Sequence, residues 1–154
     1  SRLQPCRCSP GEIRRYLNRI SGPLLDRIDM HIEVESIPSD RLSDEVAEEP
    51  SSAIRERVER ARSVQSERYR SEPGGLRINA QLNARTLNRA CPMTGRAREI
   101  LKLSSEALSF SNRAYTRILK VARTIADLEG AEKIEEAHVS EAVQYRTLDR
   151  KYWG

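Results

Sequence analysis

One arginine in a confined turn is the first feature of this sequence that could do chemistry. Ile20-Ser21-Gly22-Pro23-Leu24-Leu25-Asp26-Arg27-Ile28-Asp29-Met30-His31-Ile32-Glu33-Val34 holds a helix end, a break, a short turn and an alternating stretch. Gly22 tolerates left-handed geometry, and Pro23 cannot continue the preceding helix. Leu24 and Leu25 read as anchors of the turn, and Met30, Ile32 and Val34 alternate with His31 and Glu33 as a strand over 29–34 would. Arg27 is thereby predicted to be held in place. A positioned, permanently charged guanidinium fork is what a phosphate-facing site needs. The plainer reading is a surface arginine paired with Asp26 or Asp29.

Other reactive side chains offer less. Cys6-Arg7-Cys8 is half of a tetrahedral thiolate site, and Cys91 is far off inside a predicted helix. His31 lies in the predicted strand and His138 in the first turn of a helix, and neither has a Ser, Cys or carboxylate arranged with it as a nucleophile pair. An independent enzyme has no support. No phosphate loop of the Gly-x-x-x-x-Gly-Lys-Ser/Thr type occurs.

The elements that would position Arg27 are mostly helices. Ser9-Pro10-Gly11-Glu12 combines a cap, a first-turn proline and a capping box, and Ile13, Tyr16, Leu17 and Ile20 follow as one apolar stripe. Residues 35–50 are predicted to be a linker, acidic, with two prolines and no periodicity. Ser51 or Ser52 then caps a helix to about Arg70, with Ile54, Val58, Ala61, Val64 or Gln65, and Tyr69 on its apolar side. Its other faces carry Arg55, Arg57, Arg60, Arg62, Arg68 and Arg70, interleaved with Glu56, Glu59 and Glu67. That pattern is a solvated face with local ion pairs or, alternatively, a surface for nucleic acid or a neighbouring subunit.

Beyond an irregular connection, short helices are predicted through Thr86–Cys91 and over 94–108. The strongest runs over 112–129, capped by Ser111, stopped by Gly130, and apolar at Ala114, Ile118, Leu119, Ala122, Ile125, Ala126 and Leu128. A last helix, about 135–146, carries Val139, Ala142 and Val143, and residues 149–154 are a frayed tail. The expected fold is mainly α: a helical bundle over 51–148, preceded by a helix-turn-strand piece over 1–34.

The wording Ile-Ser-Gly-Pro-Leu-Leu-Asp-Arg-Ile-Asp-Met-His-Ile-Glu-Val resembles the arginine-finger segment of AAA+ ATPases in the magnesium-chelatase and minichromosome-maintenance branch. It resembles more closely still one subfamily, the bacterial magnesium-chelatase-like ComM/YifB proteins. Ser111-Asn112-Arg113-Ala114-Tyr115-Thr116-Arg117 in turn resembles the start of the sensor-2 helix of the same ATPases. The resemblance runs from Cys6 to about Arg150, and it implies that Arg27 is an arginine finger acting in trans and that Arg113 contacts nucleotide phosphates. Arg117, one turn on, could assist. The physics of Arg113 agrees, because a guanidinium beside a helix N-terminus joins a charged fork to free backbone N–H groups. The resemblance also implies a second cysteine pair upstream of Cys6 and Cys8, so those two would be a metal half-site of a longer protein, with no metal expected in this chain.

On that resemblance the chain is expected to be a C-terminal part of the ATPase, combining the core's tail with a helical lid. It would need ATP and Mg²⁺ in the full-length protein, and its own ATPase core and neighbouring subunits of a homo-hexamer as partners. It should be inactive alone. Motor work on DNA, such as branch migration, is the implied output; a chelatase-type metal-insertion motor is the alternative. A helical nucleic-acid-binding module without nucleotide is the rival from another class.

Composition sets the outer bounds. The 154 residues have 38% apolar and 5% aromatic content, so the core should be aliphatic and modest. A net charge of +4, from 27 basic and 23 acidic groups, is too balanced to diagnose nucleic-acid binding. Three cysteines make no disulfide framework, no apolar run reaches the length of a membrane span, and no signal pattern opens the chain, so a cytoplasmic bacterial protein is expected.

Overall fold

The computed structural model describes residues 6–34, 49–72 and 74–146. Seven helices form among them: α1 Pro10–Leu17, α2 Gly22–Leu25, α3 Ser51–Arg68, α4 Ala84–Ala90, α5 Gly95–Leu108, α6 Asn112–Glu129 and α7 Glu136–Gln144, with a 3-10 turn at Asn79–Gln81. The mainly α bundle expected from the sequence is the observed architecture. The predicted linker over 35–50, except its last two residues, and the predicted tail over 149–154 lie outside the described residues.

The helix ends follow local chemistry. Ser9 caps α1 in a full capping box with Glu12. Asn83, Thr94 and Ser111 each accept first-turn N–H groups, of α4, α5 and α6 respectively. Gly130 ends α6 at φ 76°, where a side chain would be strained.

Helix α6 is the centre. It packs on α7, α3, α4 and the 3-10 turn, while α5 packs on α7. Its Ile118, Leu119, Ala122, Ile125 and Ala126 meet Ala97 and Leu101 of α5, Val139 and Ala142 of α7, and Leu87, Cys91 and Tyr69. Burying an isoleucine or leucine fully stabilises by about 1.5–3 kcal/mol. The alanines at the contacts leave room for the helices to approach. A parallel bridge between Met93 and Ile134 ties the α4–α5 and α6–α7 connections together: Ile134 N–H donates to Pro92 O at 2.8 Å, and Thr94 N–H to Ile134 O at 3.0 Å.

A buried polar cluster joins α3 to α6. Asp127 accepts from Arg68 Nη1 at 2.9 Å, from Asn79 Nδ2 at 2.8 Å and from Arg123 Nε at 3.0 Å. Arg123, fully buried, also donates to Glu132 O at 2.9 Å and Ala131 O at 2.6 Å, sealing carbonyls just past the end of α6. Burial lowers the Arg123 pKa from its ordinary value, and the nearby Asp127 carboxylate opposes that loss. Hydrogen bonding to Asp127 raises that of Arg68.

Four expectations need correction. No strand forms over 29–34, because among the described residues no neighbouring strand supplies a ladder; His31 N–H donates to Tyr145 O at 2.8 Å and Asp29 pairs with Arg117, and these contacts tie that stretch to the bundle. The cap of α3 is Pro50, without a side-chain bond, rather than Ser51 or Ser52. Only Ala61, Gln65 and Tyr69 of its predicted stripe are buried, while Ile54, Val58 and Val64 stay exposed. Leu128 of α6 and Ile13, Tyr16 and Ile20 of α1 are also exposed.

Candidate functional site

The turn bearing Arg27 lies against the first turns of α6. Leu25 is buried as the anchor its position predicts, whereas Leu24 is half exposed. The Arg27 N–H donates to Leu24 O at 2.9 Å and its Nη1 to Pro23 O at 2.8 Å, so the guanidinium is bound within its own turn, not to Asp26 or Asp29. Ser111 Oγ, which accepts from Ala114 N–H at 3.1 Å, also donates to Asp26 Oδ2 at 3.3 Å. The α6 cap thereby touches the residue before Arg27. Asp29 is ion-paired with Arg117.

This contact builds an open groove of about 480 Å³ lined by Arg27, Asn112, Arg113, Thr116, Arg117 and Lys120. The α6 residues fall at helical spacing and share one face. Arg27 and Arg113, distant in the chain, thus border the same space, and Arg117 is with them. Lys120 was not singled out from the sequence. Its Nζ donates to Ala80 O at 2.8 Å, and burial lowers its pKa from the ordinary lysine value.

Four cationic side chains around an open groove suit an anion with several oxygens, and the guanidinium forks match phosphate geometry. The same donor set suits Mg²⁺ poorly. The nearby carboxylates are engaged, Asp29 by Arg117 and Asp26 by Ser111 and Arg146. No group of three or more metal-ligating His, Cys, Asp or Glu exists among the described residues. Such an ion would need ligands from elsewhere.

Cys6 and Cys8 are exposed free thiols and do not line the groove. They are linked to each other: a hydrogen bond from the Cys8 backbone lowers the Cys6 thiol, and the side-chain bond to Cys6 raises the Cys8 thiol. Cys91 is buried in the core, which pushes its thiol up to about 11. His138 is buried at the start of α7, accepting from Glu135 N–H at 2.9 Å through Nδ1 and facing Glu129 through Nε2 at 2.8 Å, a structural placement. On α3, Arg57 pairs with Glu49, Arg60 with Glu56, Arg70 with Glu67, and Arg68 turns inward to Asp127. Much of the basic face weighed for nucleic acid is therefore occupied by local ion pairs. No described helix is long and apolar enough to cross a membrane.

Known proteins resemble this chain over most of its length. A family profile described as "Magnesium chelatase, subunit ChlI C-terminal" matches residues 48–146, and one described as "Magnesium chelatase, subunit ChlI" matches residues 1–42. The chain is 43% identical over 145 residues to Competence protein ComM of Haemophilus influenzae, covering 94% of this chain and 27% of that protein. It is 40% identical to YifB of Salmonella typhimurium and 39% to YifB of Escherichia coli, each over 145 residues, covering 94% of this chain and 28% of each relative. It thus spans little more than a quarter of the length of these relatives. The profile that takes in the α6 groove and the one that takes in the Arg27 turn meet in a single chain, which belongs to the magnesium-chelatase-like ComM/YifB family.

Proposed function

We propose that this chain supplies the phosphate-contacting arginines of a AAA+ ATPase assembled from several copies of the longer protein, as a homo-hexamer. Arg27 is the arginine finger and approaches ATP held by a neighbouring subunit. Arg113 is the sensor-2 arginine, with Arg117 and Lys120 supporting the charge of the groove. The observation that carries this reading is the shared groove: the two arginines that the family pattern marks border one open space. A phosphoryl group entering it would meet both forks at once, so the two would act on the same nucleotide. The phosphate loop and the Mg²⁺ ligands belong to other parts of the assembly. Motor work on DNA is the output that the family resemblance implies, and one relative carries the name competence protein. The chelatase wording of the family profiles favours a second reading, a motor for metal insertion.

The test uses the full-length protein, with steady-state ATPase measured with and without branched DNA. Arg27→Ala should bind ATP normally and lose turnover by about 10³–10⁵-fold. It should regain activity when mixed with subunits defective only in the phosphate loop. Normal hydrolysis by Arg27→Ala would end the finger reading. Stimulation by branched DNA supports the DNA motor; no stimulation by DNA, with stimulation by a porphyrin-metallating partner, supports the second reading.

A further inference from the structure

The turn that carries Arg27 is gripped from behind by the end of α7. Arg146, only 2% exposed, aims its Nη1 at Ile28 O and, at 3.4 Å, at Leu25 O. Its Nη2 lies 3.9 Å from Asp26 Oδ1. One buried guanidinium therefore holds main-chain oxygens on both sides of Arg27 and the carboxylate beside it. The preceding residue extends the grip, since Tyr145 O accepts from His31 N–H at 2.8 Å. At the front, Ser111 Oγ donates to the same Asp26.

We propose that Arg146 is the positioning residue of Arg27: it fixes the finger's turn to the helical bundle, so that the finger's place is set by the bundle of its own chain. This rests on the finger reading above. The physical ground is that a guanidinium presents several donors in a rigid plane, and carbonyls held by a buried cation cannot drift without leaving it unsatisfied. Arg27 itself is exposed and, among the described residues, its guanidinium is bound within its own turn, so its aim depends on the backbone that Arg146 holds. Displacement of a reacting group by an ångström can lower turnover by about 10²-fold.

The test compares Arg27→Ala, Arg146→Ala, Arg146→Lys and the double Ala variant of the full-length protein. Hydrogen exchange reads the grip directly. Arg146→Ala should speed exchange of the amides of Leu24 to Ile28 and leave those of α6 unchanged; unaltered exchange in the turn overturns the proposal, and loosening of α6 as well makes Arg146 a general fold residue and overturns it too. Turnover reads the consequence. Arg146→Ala should retain ATP affinity and lose about 10²-fold in kcat. Arg146→Lys, which keeps a donor for Ile28 O, should recover part of that loss. The double variant should be no slower than Arg27→Ala alone, because a residue acting through Arg27 has nothing left to position. Additive losses overturn the proposal. The two readings fail differently: full turnover in Arg27→Ala ends the finger and this inference together, whereas loss in Arg27→Ala with full turnover in Arg146→Ala ends this inference alone.

Discussion

The two ends of α6 use arginine in opposite ways. At its C-terminal end Arg123 is wholly buried and its donors are spent on Asp127, Ala131 O and Glu132 O. At its N-terminal end Arg113 is exposed at the edge of a groove that it shares with Arg27 and Lys120. A buried charge is retained only where paired and hydrogen-bonded, so the first end is architecture. A cation in the first turn of a helix is mildly opposed by the helix dipole, so the second end gives up a little stability for an accessible fork. Residue type alone does not separate structure from function; the state of the donors does.

The largest effect should come from breaking the architectural end. Asp127→Ala leaves Arg123 and the partly buried Arg68 facing each other without their carboxylate, and should cost this chain about 3–5 kcal/mol in urea unfolding. A loss below about 1 kcal/mol would put the two ends of α6 on the same footing.

A second contrast lies between thiols. Cys91 is raised from 9.0 to about 11 by burial, whereas Cys6 and Cys8 are exposed. Native protein at pH 8 should therefore expose two thiols to a disulfide reagent at once and the third only on unfolding. The raised value means the folded state favours the neutral thiol. That stability is fully present below pH 9.0 and is lost as pH climbs through about 11. The contribution at stake is about 2–3 kcal/mol, and an unfolding midpoint for Cys91→Ala that falls over this window as steeply as the parent's would refute it.

The smallest effect sharpens the comparison most. Arg113→Ala should leave the chain as stable as before or firmer by about 0.3 kcal/mol, since it removes a cation from a first turn and adds a better helix former. Clear destabilisation in the same urea experiment would mean that Arg113 is a structural residue after all.

Sequence reading reached what local rules control. Ser9, Thr94, Ser111 and Gly130 marked helix ends because capping is decided within a few residues. Arg27 and Arg113 stood out through family wording and Arg117 by its place one turn beyond Arg113, and the fold brings their side chains to one groove. What escaped was long-range. Arg68 read as one more solvated charge on α3, since nothing nearby in the chain announces Asp127 across the core. Arg146 was only the last residue of the helix predicted over 135–146, for its partners Leu25 and Ile28 lie at the other end of the chain. Ile54 and Val58 kept helical spacing yet stay exposed, and periodicity is silent about what a face will meet.

The stretch after the Arg27 turn carries one more consequence, for how the chain behaves at the bench. Met30, Ile32 and Val34 are exposed, Val34 at 87%. Apolar side chains exposed side by side favour association with a like surface on another molecule. Preparations of this chain should consequently be stable when dilute and grow turbid as concentration or sulfate rises, because salting-out strengthens that association.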